Sequence, residues 1–253
     1  MKKITILICG VIICKLTFTQ TRIHQTGTNN NVWITYNGDH KINEKWGLHF
    51  DGHIRRNDFL SKPQQLLFRP GINYHLNNSI SFSAGYTYAY TYAYGIFPSP
   101  AAFPENRFWE QVQVKIPLQK IEWISRLRLE QRLVKTPIKN MQGVYEPGDA
   151  VYTNRYRLMN RLSIPLKGKT ISPGSTYFTV MDEIMINSGK NIGLNIFDQN
   201  RAYLAIGYFF AKLGKMELGY MMQSIVRADG IRIEKNNTIQ LTLNSTAPFH
   251  KKK

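Results

Sequence analysis

Along most of this chain, apolar and polar positions alternate in segments of about ten residues, as expected of membrane-spanning strands, and turn residues separate the segments. No stretch carries the spacing of a long amphipathic helix. The clearest alternation covers 79–95. Ile80, Phe82, Ala84, Tyr86, Tyr88, Tyr90, Tyr92 and Tyr94 fall on one face, and Ser81, Ser83, Gly85, Thr87, Ala89, Thr91 and Ala93 on the other. Because side chains of a strand alternate between its two faces, this pattern predicts a strand with an aromatic outer face and a small, polar inner one. Tyr86, Tyr88, Tyr90, Tyr92 and Tyr94 are the expected lipid-facing aromatics, with Trp33, Trp46, Trp109 and Trp123 read as members of interfacial belts.

Two further segments put charge on one face. In 121–135, Arg126, Arg128, Glu130 and Arg132 alternate with Leu127, Leu129, Gln131 and Leu133. In 153–165, Arg155, Arg157 and Arg161 alternate with Tyr156, Leu158 and Leu162. A dry core does not tolerate such a face unless its charges are paired, whereas the lumen of a barrel does. These consecutive strands should pair antiparallel, which brings Arg against Arg unless acids intervene. Glu110, Glu130, Glu183 and Glu217 are the candidate partners. A third polar face, on 45–56, carries His49, Asp51, His53 and Arg55 at every second position, and Arg69 follows on 64–76.

The other strand candidates are 32–42, 107–118, 176–186, 200–212, 216–227 and 237–246, making eleven in all. Short links near 43–44, 77–78, 118–120 and 213–214 alternate with longer ones at 96–106, 136–152, 187–199 and 228–236. The expected fold is therefore all-β, an antiparallel transmembrane β-barrel. Bacterial barrels usually have an even strand number, so the expectation is twelve strands, with ten as the fallback and the extra strand sought near 22–31 or 188–197.

The first residues look like a secretory leader. Lys2 and Lys3 precede an apolar run from Ile4 to Cys14, and Thr17-Phe18-Thr19 supplies a small-x-small cleavage site. The expected organisation is a leader at 1–19 and an outer-membrane barrel at 20–253. Both cysteines, Cys9 and Cys14, fall in the leader, so no disulfide or cysteine chemistry is expected in the remainder. The chain carries 33 Lys and Arg against 16 Asp and Glu, a formal charge of +17. Export argues against nucleic acid as the partner of that charge and favours anionic lipid or solute.

Chemical motifs are sparse. There is no phosphate loop, dinucleotide fingerprint, zinc motif or Gly-x-Ser-x-Gly elbow. His49 and His53 would stand about 13 Å apart along a strand, too far to share one metal. No catalytic residue, metal or cofactor is expected. The expected site is a lumen-facing charge network of His49, Asp51, His53, Arg55, Arg69, Arg126, Arg128, Glu130, Arg132, Arg155, Arg157, Arg161, Glu183 and Glu217. It either fills the lumen or draws in anionic small solutes.

Several phrases carry a family resemblance when taken in order. They are Gly38-Asp39-His40-Lys41 with Lys45-Trp46-Gly47-Leu48-His49, Arg55-Arg56-Asn57, Phe68-Arg69-Pro70-Gly71-Ile72-Asn73-Tyr74, Glu105-Asn106-Arg107-Phe108-Trp109-Glu110-Gln111, Phe197-Asp198-Gln199-Asn200-Arg201 and Glu217-Leu218-Gly219-Tyr220. Together with 126–132 they resemble the Bacteroidetes outer-membrane proteins grouped as domain of unknown function 2490. The resemblance implies an outer-membrane barrel and no particular reaction. The chain departs from common barrels at its end, where Phe249 is followed by His250 and three lysines in place of a terminal aromatic. The leading expectation is a small-solute pore with a basic lumen or a structural envelope protein. Its partners would be outer-membrane lipid and lipopolysaccharide, anionic small solutes and, during biogenesis, the barrel-assembly machinery. The alternatives are a membrane-embedded enzyme acting on lipid or lipopolysaccharide and a soluble periplasmic β-sandwich or lipocalin-like binder.

Overall fold

A computed structural model describes residues 24–247. The expected leader and the Phe249–Lys253 terminus lie outside the described residues. The described chain is all-β. Its strands are β1 (Gln25–Lys41), β2 (Trp46–Asn57), β3 (Lys62–His75), β4 (Ile80–Thr91), β5 (Phe103–Leu118), β6 (Ile121–Val134), β7 (Pro137–Lys139), β8 (Tyr145–Pro147), β9 (Val151–Pro165), β10 (Thr176–Ser188), β11 (Phe197–Phe210), β12 (Gly214–Val226) and β13 (Arg232–Ser245). β7 and β8 form a separate hairpin within the β6–β9 connection. The remaining eleven strands close into one barrel, each paired with its neighbour in sequence.

Each of the eleven candidate segments corresponds to one barrel strand, but the even count does not hold. The barrel has eleven strands, not twelve or ten. Nor is the sheet antiparallel throughout. In a meander, successive strands reverse direction, so the first and last of an odd set run the same way and can close only in parallel. β1 and β13 do so, from Gln25↔Arg232 to Gly38↔Ser245. Residues 25–31 are not a further strand but the first half of β1. Asparagine side chains bridge the seam inside the barrel: the Asn29 amide donates to Glu234 at 3.1 Å and to Asn236 at 2.9 Å, and Asn37 donates to Asn244 at 2.9 Å.

The alternation read from sequence sorts the two faces. Phe68, Ile72, Phe108, Leu127, Leu204, Ile206, Leu218 and Ile239 are exposed on the outside. Among the buried residues, polar and charged side chains outnumber apolar ones, the reverse of a soluble domain. Large aromatics also enter the interior where a neighbouring strand offers glycine. A Cβ on Gly207 would stand 2.3 Å from Tyr177 Cζ, and one on Gly219 2.5 Å from Tyr203 Cε2. Trp109 lies equally close over Gly71 and Gly85. Trp33 and Trp109 are therefore interior residues, not belt residues, at 2% and 1% exposure.

Connections of β2–β3, β4–β5, β6–β9, β10–β11 and β12–β13 gather at one end, called here the loop end. It includes the longest of them, 135–150 and 92–102. The opposite end carries 42–45, 76–79, 119–120, 166–175 and 211–213.

Candidate functional site: the charged interior and its loop-end chamber

Of the residues anticipated for the lumen, Asp51, Arg69, Arg128, Glu130, Arg155, Arg157, Glu183 and Glu217 are buried, and His49, His53, Arg55, Arg126, Arg132 and Arg161 are half-buried. At mid-height the network centres on Glu130, with 0% of its surface exposed. Glu130 accepts from Arg155 at 2.9 and 2.5 Å and from Arg157 at 2.7 Å. Arg69 and Arg107 each approach it to 3.7 Å. Arg157 also donates to both oxygens of Glu183, which accepts from Arg126 at 2.8 Å as well. Arg69 donates to Asp51 at 2.7 Å, and His49 stands 3.2 Å from the same carboxylate. His53 hydrogen-bonds with Thr35 at 3.2 Å.

The register explains how like charges are tolerated. Arg128 stands opposite Arg157, while Glu130 stands opposite Arg155. The two facing arginines turn apart. Arg157 reaches Glu130 and Glu183. Arg128 donates to Gln111 at 2.9 and 2.6 Å and lies over the Trp109 ring at 4.8 Å. Arg128, too, has 0% exposure. Glu110, a candidate partner, is not in the network: it faces outward and accepts from Gln131 at 3.1 Å. Its place is taken by Glu105, which binds Arg107 through both oxygens and also accepts from Arg132.

Toward the opposite end, Glu217 accepts from Arg161 and from Tyr177, the latter at 2.8 Å, with Tyr203 at 3.5 Å. Lys115 and Lys215 meet Glu122 at 2.9 and 2.8 Å near that mouth. Residues with no exposed surface thus occupy the lumen at the level of Arg128 and Glu130, and Glu217 below them is 1% exposed.

Above this level, at the loop end, lies a cavity of about 520 Å³. Eight arginines line it (Arg55, Arg69, Arg107, Arg132, Arg155, Arg157, Arg201 and Arg227) against only two carboxylates, Glu105 and Asp198. Asp198 accepts from Arg155 at 3.0 Å. A bulge where Arg56 pairs with Pro63 lets both Gln64 and Gln65 turn inward. Gln64 accepts from Trp33 Nε1 at 2.7 Å, and Arg55 lies over the Trp33 ring at 3.8 Å. Among the described residues, no three His, Cys, Asp or Glu side chains group so as to hold a metal ion.

The tyrosine stripe divides. Tyr86 and Tyr88 are exposed outside the barrel, and Tyr90 and Tyr92 pack edge to face at 5.1 Å. Tyr94 leaves the outer face and lines the chamber. β4 ends at Thr91, and Gly95, at φ +75°, turns the chain over the barrel mouth, so the two-residue period stops before Tyr94. Burial pushes the Tyr94 phenol up to about 12.

Sequence reading missed Arg107, Arg201, Arg227, Glu105 and Asp198. For Arg107 the signal was present: Glu105, Arg107, Trp109 and Gln111 alternate inward along β5. The exposed Phe108 and Glu110 between them do not make an apolar face. For Asp198 there was none. It sits where a bulge sets Ile186 against Phe197, and both Asp198 and Gln199 are buried.

No curated protein and no solved structure matches this chain. A family model, described as "Protein of unknown function (DUF2490)", matches residues 30–234, which spans the barrel from β1 into β13. The chain belongs to that family.

Proposed function

We propose that this chain is an exported outer-membrane barrel that receives small anionic solutes in its loop-end chamber and does not conduct them freely through the lumen. One observation carries the proposal. Eight arginines line a chamber that has two carboxylates of its own, and the nearly unexposed Arg128, Glu130 and Glu217 stand in the lumen beneath it.

Strand length and surface support the membrane. Each barrel strand has at least 12 residues, whereas about 9–11 suffice to cross a bilayer and soluble strands are usually shorter. The outer wall exposes large apolar side chains on every barrel strand except β1's polar first half. A soluble monomer seldom presents such a continuous apolar surface. The leader-like start agrees with export, and the loop end is then the outer side.

Barrel size allows a closed lumen. Side chains can fill a barrel of about eight strands, whereas barrels of about 16 leave a water channel. Eleven lies between, and here Arg128, Glu130 and Glu217 occupy the section that would have to be open. The solute that suits the chamber is an anion, because Arg forks match carboxylate and phosphate geometry.

Calorimetric titration of the refolded barrel with inorganic phosphate tests the proposal. Binding at one site per chain, weakening as sodium chloride is raised, is the expected result. No heat of binding at low salt would contradict it.

A further inference from the structure

We infer that the chamber is a two-pole site for a small organic anion: an oxyanion head at Arg55 and a compact apolar body against Leu67 and Phe103. The inference rests on the anion-receiving chamber proposed above and names the class of molecule that fits it.

The charged pole follows from an imbalance. Seven of the chamber arginines have a carboxylate within 4 Å, among them Arg69 with Asp51, Arg201 with Glu183 and Arg227 with Glu234. Arg55 has none among the described residues. It donates once, to Gln65 at 2.8 Å, and its Nε is buried without a partner. Its charge rests on the Trp33 face, where Arg201 also lies, 5.4 Å from the ring centroid. A half-buried guanidinium with an idle donor and a second cation nearby favours an incoming oxyanion, which supplies both the missing charge and the missing acceptor.

The apolar pole follows from the register. Arg55 pairs with Gln65, Gln65 with Thr91, and Thr91 with Phe103, so these four residues form one row across β2, β3, β4 and β5. Gln65 donates onward to Thr91 at 2.7 Å, which fixes the polar part of the row. Phe103 ends it, and Leu67 lies on the same inner face of β3 as Gln65. Three strand spacings of about 4.8 Å separate the backbones of Arg55 and Phe103 by about 14 Å. Both side chains reach inward, so one ring or a short alkyl body spans what is left. The cavity volume of about 520 Å³ falls within the usual range for small-molecule sites. A bare phosphate would fill little of it.

Phenyl phosphate and inorganic phosphate, titrated separately into the refolded barrel, test the two poles. Phenyl phosphate should bind about tenfold more tightly, the ordinary worth of burying part of one ring. Arg55→Gln should weaken both ligands about tenfold or more, since a charge-assisted hydrogen bond is lost. Phe103→Ala should weaken phenyl phosphate alone. Each variant is first checked for the folded barrel by its heat-dependent gel mobility. Arg55→Gln removes an unpaired charge and is expected to fold. Equal affinity for the two ligands overturns the apolar pole, and unchanged affinity in Arg55→Gln overturns the charged one. If neither ligand binds the wild type, the chamber reading itself fails.

Discussion

Glu130 shows how much a single interior residue carries. Two arginines donate to it and two more approach within 3.7 Å, and Glu130 itself has no exposed surface. Glu130→Gln keeps the shape and removes the charge. It leaves Arg155 and Arg157 to Asp198 and Glu183 alone, and Arg107 and Arg69 lose a neighbour. Removing one partner of a buried pair costs about 3–5 kcal/mol, so guanidinium unfolding in detergent should show a loss of that size. By contrast, Lys62 and Asp58 pair at 3.8 Å with both side chains mostly in solvent. Asp58→Asn, which keeps a residue tolerant of the positive φ at that position, should change stability by less than about 0.5 kcal/mol. Equal effects at the two sites would show that the interior network is as well solvated as the surface.

The strands depend on fitted pairs of large and small residues. Gly207 and Tyr177 face each other across β10 and β11. Gly207→Ala puts a methyl 2.3 Å from the Tyr177 ring carbon Cζ. The ring cannot swing away without losing its bond to Glu217, so the substitution should cost about 1–3 kcal/mol. Tyr177→Leu in the same chain should recover part of that loss. A plain sum of the two single effects would mean that ring and glycine are not coupled.

Most of the fold was legible at this scale. The eleven segments could be read because most alternate between an apolar and a polar face and turn residues separate them. The first half of β1 could not be, because Thr26, Thr28 and Asn30 are as polar as Asn29 and Asn31 and no alternation marks it. The strand count failed for a different reason. Evenness is a habit of bacterial barrels, not a demand of hydrogen bonding, and a parallel seam satisfies the backbone as fully. The site was half legible. Alternation put Arg126 to Arg132 and Arg155 to Arg161 on inner faces, but the acids that neutralise them come from strands distant in sequence. Glu183, which the sequence offered as a candidate, serves Arg126 across 57 positions, whereas Asp198, which serves Arg155 across 43, was not among the candidates. No local pattern announces such partners.

At the scale of the whole molecule, two features organise the account: closure in an odd ring and closure of the lumen. The first predicts a cross-link. Ile34 and Leu241 pair across the β1–β13 seam and point outward. Cysteines at both positions, in a chain whose own two lie at 9 and 14, should couple through a short bis-maleimide and alter gel mobility. Either cysteine alone should not. Failure of the pair to couple would leave the barrel open at that seam. The second feature is what separates a receiving chamber from a pore, and single-molecule conductance reads it directly. Purified, refolded barrel in a planar bilayer, at low salt and across both polarities, should give a quiet trace, because the nearly unexposed side chains of Arg128, Glu130 and Glu217 stand in the lumen. Reproducible anion-selective steps from the wild-type protein would contradict the account.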